Sequence, residues 1–337
     1  MNRRSARRRL VVWSAIGMGV LGSAALGYLF ASQDRAADCG HLLKNGSLQR
    51  VLGNEYVSDM SCAELGSVLR AATTGATPGR HTLGEARNMQ AVVLALSEET
   101  QRRRNPAVAV ELREPLADAL VDYAADIHAN LTGSDGDPQP QRHRRPWKDG
   151  ETVRMPVEED DLIRALRAVS QDPQAYARLR TAQTEKCADG LASVPTARSL
   201  SVEDGGPALD CAVVLGHFDG IADDIPEGER ATWQAAVFQH IADTAPESAP
   251  SYGRDPAGHI AGAWQRDFVG VEPPSSGFLG EDALAVIDIW AEGREEDSTD
   301  SGVKALKRES LTVEADGAEA AARLLACTRE PDAAECG

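Results

Sequence analysis

The sequence predicts a mainly α-helical protein, in which a single N-terminal transmembrane helix precedes an all-helical, disulfide-stapled extracytoplasmic domain. Three observations carry this expectation. Residues 10–31 contain no charged side chain. Beyond them, apolar residues recur at spacings of three and four behind capping signals, the pattern of helices with one buried face. All six cysteines lie after the uncharged run.

The run from Leu10 to Ala31 has 22 residues. As a helix it reaches about 33 Å, enough for a bilayer core of roughly 30 Å. A secretory signal has a shorter apolar region and ends in small residues of A-x-A type. This one ends Leu29-Phe30-Ala31, so retention is favoured over cleavage. Trp13 lies near one end, with Tyr28 and Phe30 near the other, where interfacial aromatics concentrate. Arg3, Arg4, Arg7, Arg8 and Arg9 precede the run, and the first acidic residue is Asp34. The positive-inside rule therefore keeps the N-terminus in the cytoplasm and exports the residues beyond the run. Within the run Ala15, Gly19, Ser23 and Gly27 share one helix face. They form either a homodimerisation stripe or, more simply, the usual small residues of such segments.

The chain carries 35 basic and 52 acidic residues, net −17. With the five N-terminal arginines set aside, the exported portion is more acidic still. Such a surface repels phosphate backbones, so nucleic acid is excluded as a partner. Six cysteines in an oxidising compartment imply disulfides, with 15 possible pairings. Their spacing suggests sequential pairing: Cys39 with Cys62, Cys187 with Cys211, and Cys327 with Cys336. No C-x-x-C occurs, which argues against zinc, and no cofactor is expected.

Ser61-Cys62-Ala63-Glu64 is a capping box, followed by Leu65, Val68 and Leu69 on one face. Thr82-Leu83-Gly84-Glu85 is a second, opening a helix with Met89, Val92, Val93 and Leu96 inward. Pro115 is suited to the first position of the next helix, which Leu116, Leu120, Tyr123, Ile127 and Leu131 line on one side. Residues 133–150, rich in Gly, Pro and charge, read as an exposed linker. Within it Arg142, His143, Arg144 and Arg145 form a basic island, more simply a solvated charge run than a site for an anionic partner. Ser134–Asp137 resembles part of a calcium loop without its closing glutamate.

Leu162, Ile163, Leu166 and Val169 mark the following helix. Asp172 and Pro173 supply the cap and first position of another, with Tyr176, Leu179 and Ala182 inward. Pro226 opens a helix bearing Trp233, Val237, His240 and Ile241. Residues 256–268 suggest a shorter element, and 281–291 fit helix or strand. The organisation expected is a cytoplasmic tail (1–9), a span (10–31), a helical subdomain (35–131), an exposed linker (132–155), a second helical subdomain (156–293), and a polar tail (294–337) holding a short helix over 318–327.

PLADALVDYAADIHANL (115–131) and DLIRALRAVSQDPQAYARLRTAQ (161–183) resemble segments of an uncharacterised actinobacterial family of large helical proteins. Many of its members carry a WXG-type module tied to type VII secretion or polymorphic toxins. The likeness covers about residues 80–195. It implies an all-helical domain of interaction type and brings no catalytic residues. A membrane span stands here in place of the soluble helical module.

His217, Asp219, Asp223 and Asp224 are the densest chemical cluster, able in principle to hold a divalent ion or act as an acid–base pair. His240, His259 and Asp255 are available as further ligands. The ordinary alternative is that Asp223 or Asp224 caps the helix at Pro226 while Phe218 and Ile221 pack inward. No nucleophile elbow, Walker loop, zincin motif or dinucleotide fingerprint is present. The function expected is therefore that of a non-enzymatic, single-pass membrane protein whose acidic helical ectodomain binds a protein partner of the envelope or of a secretion system. Two alternatives remain: a membrane-tethered metal-dependent hydrolase centred on His217 and Asp219, and an accessory factor of a toxin or contractile-injection system.

Overall fold

The computed structural model describes residues 39–104, 107–133, 145–195, 202, 205–272, 282–296, 300–334 and 336. The expected span with Ala15, Gly19, Ser23 and Gly27, the Ser134–Asp137 fragment and Arg142–Arg144 lie outside these residues. Among the described residues no helix is long and apolar enough to cross a membrane. Asp38–Gly337 is one compact unit, mainly helical.

The N-terminal part of this unit follows its capping signals. Short helices α1 (Gly40–Lys44) and α2 (Gly46–Leu52) lead to α3 (Cys62–Thr73) and α4 (Leu83–Arg103). Ser61 and Thr82 each accept a hydrogen bond from the third helical amide, while Glu64 and Glu85 reach back to the cap amides. Both capping boxes thus satisfy amides that a helix start leaves without partners. The Cys39–Cys62 disulfide ties α1 to the start of α3.

Helix α5 (Val110–Asp122) does not begin at Pro115 but five residues earlier. A proline inside a helix removes one amide donor and crowds the preceding turn. The turn around Pro115 is packed against Gly66 of α3, where a Cβ would come 2.6 Å from Pro115 Cγ. The glycine makes room for the ring, a tertiary accommodation that local signals do not reveal. At Tyr123 (φ −98°, ψ 23°) the chain bends into α6 (Ala124–Thr132). The predicted apolar face continues through the bend, since Leu116, Leu120, Tyr123, Ile127 and Leu131 are all buried.

The linker expectation needs correction from residue 145 onward. Trp147–Asp149 (β1) and Thr152–Arg154 (β2) pair antiparallel, with Gly150 at φ +58° in the turn. Val153, Met155 and Val157 are buried. Two α6 side chains one turn apart hold this segment: Asp126 accepts from the Met155 amide at 3.0 Å and Asn130 from the Val157 amide at 3.1 Å. A polar, proline-containing stretch is fixed here by its backbone groups rather than by apolar periodicity.

Helices α7 (Glu159–Val169), α8 (Pro173–Ala192), α9 (Gly206–Asp223) and α10 (Glu227–Thr244) come next. Asp172 caps α8 by accepting from the amides of Gln174 and Ala175. Helix α8 lies at the centre, packing on α5, α6, α9 and α10, so helices from both sides of residues 133–150 share one core. Cys187 on α8 and Cys211 on α9 are bonded, with Cα atoms 5.1 Å apart. Helix α11 (Pro256–Arg266) succeeds them; the stretch 281–291, open between helix and strand in the sequence, is helical from 282 on, within helix α12 (Asp282–Gly293).

The largest departure is at the C-terminus. In place of a polar tail with a short helix stands one 29-residue helix, α13 (Ser301–Arg329). Its buried face is Val303, Leu306, Ser310, Glu314, Gly317, Ala321 and Leu325, mostly small or polar. It lies directly on α9. A Cβ at Gly216 or Gly220 would overlap the carbonyl oxygens of Glu314 and Ala318, and one at Gly317 would come 2.9 Å from the Val213 carbonyl. Missing side chains let the two backbones approach, and dispersion over that seam replaces large apolar residues. The Cys327–Cys336 disulfide closes the end of α13.

Candidate functional site

The sequence cluster on α9 does not converge. A helix turns about 100° per residue, so His217 points away from Asp219 and Asp223, which share a face but meet different surroundings. His217 Nε2 lies 3.0 Å from Glu159 Oε1, at the start of α7. Asp219 lies 2.7 Å from Arg180 Nη1, and Asp223 is exposed. Neither Asp223 nor Asp224 caps α10, whose N-cap is Pro226 without a side-chain hydrogen bond. Instead the Asp224 side chain is buried and accepts from Arg167 Nε at 2.8 Å, with Arg329 also paired to it. The further candidates are separated too. Asp255 caps α11, and His259 Nδ1 faces the Pro250 carbonyl at 2.7 Å. Among the described residues no group of three His, Cys, Asp or Glu side chains is placed to hold a metal ion.

Beside the α9 cluster lies a buried ionic centre. Arg180, fully buried on α8, meets Asp219 of α9, Asp282 of α12 at 3.0 Å and the Tyr176 hydroxyl at 3.0 Å. Glu314 of α13 also faces this centre electrostatically. Burial raises the Asp219 and Asp282 carboxyls above the usual carboxylate range, with the Arg180 charge opposing it at both. Four helices are thereby pinned around one guanidinium. The centre is closed to solvent, and its pairing acts on how these helices pack.

An open cleft lies elsewhere among the described residues. A cleft of about 940 Å³ is lined by residues of α3, α5, α6, α8, α10 and α11 and by the Gly75–His81 loop. Its volume is at the upper end of the range for ligand sites, about 300–1,000 Å³. At one end His81 Nε2 lies 2.9 Å from Asp122 Oδ2, and the Gly79 amide donates to Asp122 Oδ1 at 2.7 Å. The His81 ring stacks on Tyr123 at 3.7 Å with planes 9° apart. The Tyr123 hydroxyl in turn donates to the Thr73 carbonyl at 2.8 Å. Burial, then the nearby carboxylates, pushes that phenol up, so it serves as a hydrogen donor.

Two arginines of the lining meet on one carboxylate. Arg70 Nη1 and Arg178 Nη1 share the two oxygens of Asp118, the former at 3.0 Å. Arg178 Nε is buried and has no hydrogen-bond partner among the described residues; the same holds for His240 Nε2. Burial lowers the His240 pKa, and the neighbouring Arg178 charge lowers it further. Glu185, two helical turns along α8, is raised by burial and by Asp189.

Sequence reasoning points to Tyr123 and Ala182 as apolar-face positions and to His240 as a helix-face histidine, but to none of the other residues of this cleft. His81 precedes a cap, Asp122 ends a helix and Arg178 sits on the polar side of α8; nothing local relates them. Only their alignment across separate helices makes the site. Compared with known proteins, the chain matches no family model, no curated protein and no solved structure.

Proposed function

We propose that this chain is a single-pass membrane protein whose acidic helical domain faces away from the cytoplasm and binds a protein partner of the cell envelope. The observation that carries the reading is the pairing of all six cysteines into three disulfides. Disulfides persist in oxidising compartments and are rare in the cytosol. Every one of these cysteines comes after the uncharged, arginine-flanked run at 10–31, so redox chemistry and charge asymmetry favour the same topology. A polar cleft on a disulfide-tied helical scaffold supports binding as the role of the domain.

The test is protease shaving of intact cells carrying a tag after Gly337. The expected result is loss of the tag without lysis. A tag digested only after lysis overturns the topology and the surface-partner reading built on it.

A further inference from the structure

We infer that the cleft takes a carboxylate-bearing chain end, the C-terminus of a peptide or protein, seated on Arg178 with Arg70 and His240. This deepens the proposed function by naming what the partner presents, but it does not depend on where the chain sits in the cell.

The donors are already assembled. Arg70 and Arg178 share one carboxylate, Asp118, and the next acid, Glu114, is exposed and 3.9 Å from Arg178. A buried N–H without an acceptor is costly, more so on a charged group. Arg178 Nε is such a group, and His240 Nε2 is a second buried nitrogen without a partner among the described residues. Arg178 and His240 both line this cleft, so they border the same space. A carboxylate there would complete the second guanidinium and accept from the imidazole, a charge-assisted arrangement.

The surroundings select among anions. Three cationic and four acidic side chains line the cleft, so a multiply charged phosphate or polyanion is repelled where a single carboxylate is tolerated. Glu185 lies along the same cleft and suits the amide or ammonium donors of a peptide. Capture of a terminal carboxylate is a recurring mode of peptide recognition.

The experiment uses the full chain purified in detergent with isotope-labelled histidine, the His240 signal being assigned with His240→Gln. The probes are N-acetyl-trialanine as the free acid, the same peptide as its C-terminal amide, and inorganic phosphate. The free acid is expected to bind at least ~10-fold more tightly than the amide, the worth of one charge-assisted hydrogen bond. It should also raise the His240 pKa, because an anion offsets the Arg178 charge. Arg178→Gln should remove the preference for the free acid, and His240→Gln, at a half-buried position, should weaken it while the melting temperature holds. If Arg178→Gln loses the native melting transition, Arg178→Lys replaces it, with reduced preference expected. Equal binding of acid and amide, no binding of either, or preference retained in the variants overturns the assignment. Phosphate that moves His240 as well as the free acid does also overturns it, showing a site for an adventitious ion only. Selective binding by a chain whose tag is protected in whole cells sinks the topology alone; a digestible tag without selective binding sinks the cleft assignment alone.

Discussion

Replacing Gly216 by alanine tests the seam between α9 and α13. The added methyl would meet the main chain of Glu314: it would overlap the carbonyl oxygen and lie 2.9 Å from the carbonyl carbon and 3.0 Å from Cα. None of these atoms is the tip of a flexible side chain, so the helices must part by on the order of 1 Å to reach normal contact distances. Overpacking of this kind costs about 1–3 kcal/mol, and the rigid obstacle places it at the upper end. Alanine's helix propensity returns about 1 kcal/mol. The net expectation is a destabilisation of about 2 kcal/mol, a fall of roughly 3 °C in melting temperature for a unit of about 300 residues. Gly228 on α10 is the control, because its Cβ would meet nothing within 4 Å. Gly228→Ala should be neutral or stabilising by up to about 1 kcal/mol. Thermal unfolding followed by circular dichroism under oxidising conditions reads both. A Gly216→Ala protein that melts at or above the wild-type temperature would refute the close approach of the two helices.

Two further perturbations act on buried groups. Asp282 has its carboxyl raised from 3.8 by burial, with Arg180 opposing. A carboxyl raised by folding contributes stability that is complete below the unfolded value and is lost as pH rises toward the folded one. The wild type should therefore lose stability relative to Asp282→Asn as pH rises above about 4, in melting curves taken across the acid range; a pH-independent difference would refute the burial of that acid. Breaking the Cys187–Cys211 bond with a double alanine substitution should cost about 3 kcal/mol by the chain-entropy estimate. Non-reducing peptide mapping should recover the two cysteines linked, and six free thiols from native membranes would contradict both the pairing and the proposed compartment.

The legible part of this fold is its local part. Ser61, Thr82 and Asp172 act on amides two or three residues away, so their helix starts can be read without knowing the rest of the chain. The apolar faces of α4, α7 and α8 are legible for the same reason, since a period of 3.6 is a property of neighbours. Segment 281–291 is ambiguous because a short apolar run fits helix and strand alike.

The helical class, the order of most elements and the charge asymmetry are written in the sequence, because each depends on side chains close together along the chain; the cysteine spacing suggests sequential pairing, and the three bonds bear it out. Tertiary structure decided what depends on distant partners. Helix α13 buries Ser310, Glu314 and Gly317 because Gly216 and Gly220 admit its backbone, about a hundred residues earlier in the chain. Pro115 sits inside a helix because Gly66 leaves room for its ring. His217 and Asp219, neighbours in sequence, are divided between two helices' partners, whereas Arg70, Arg178 and His240 come together from three helices. Polar side chains carry no periodic signal of their neighbours across a cleft; the packing of the apolar faces beneath them sets which ones meet.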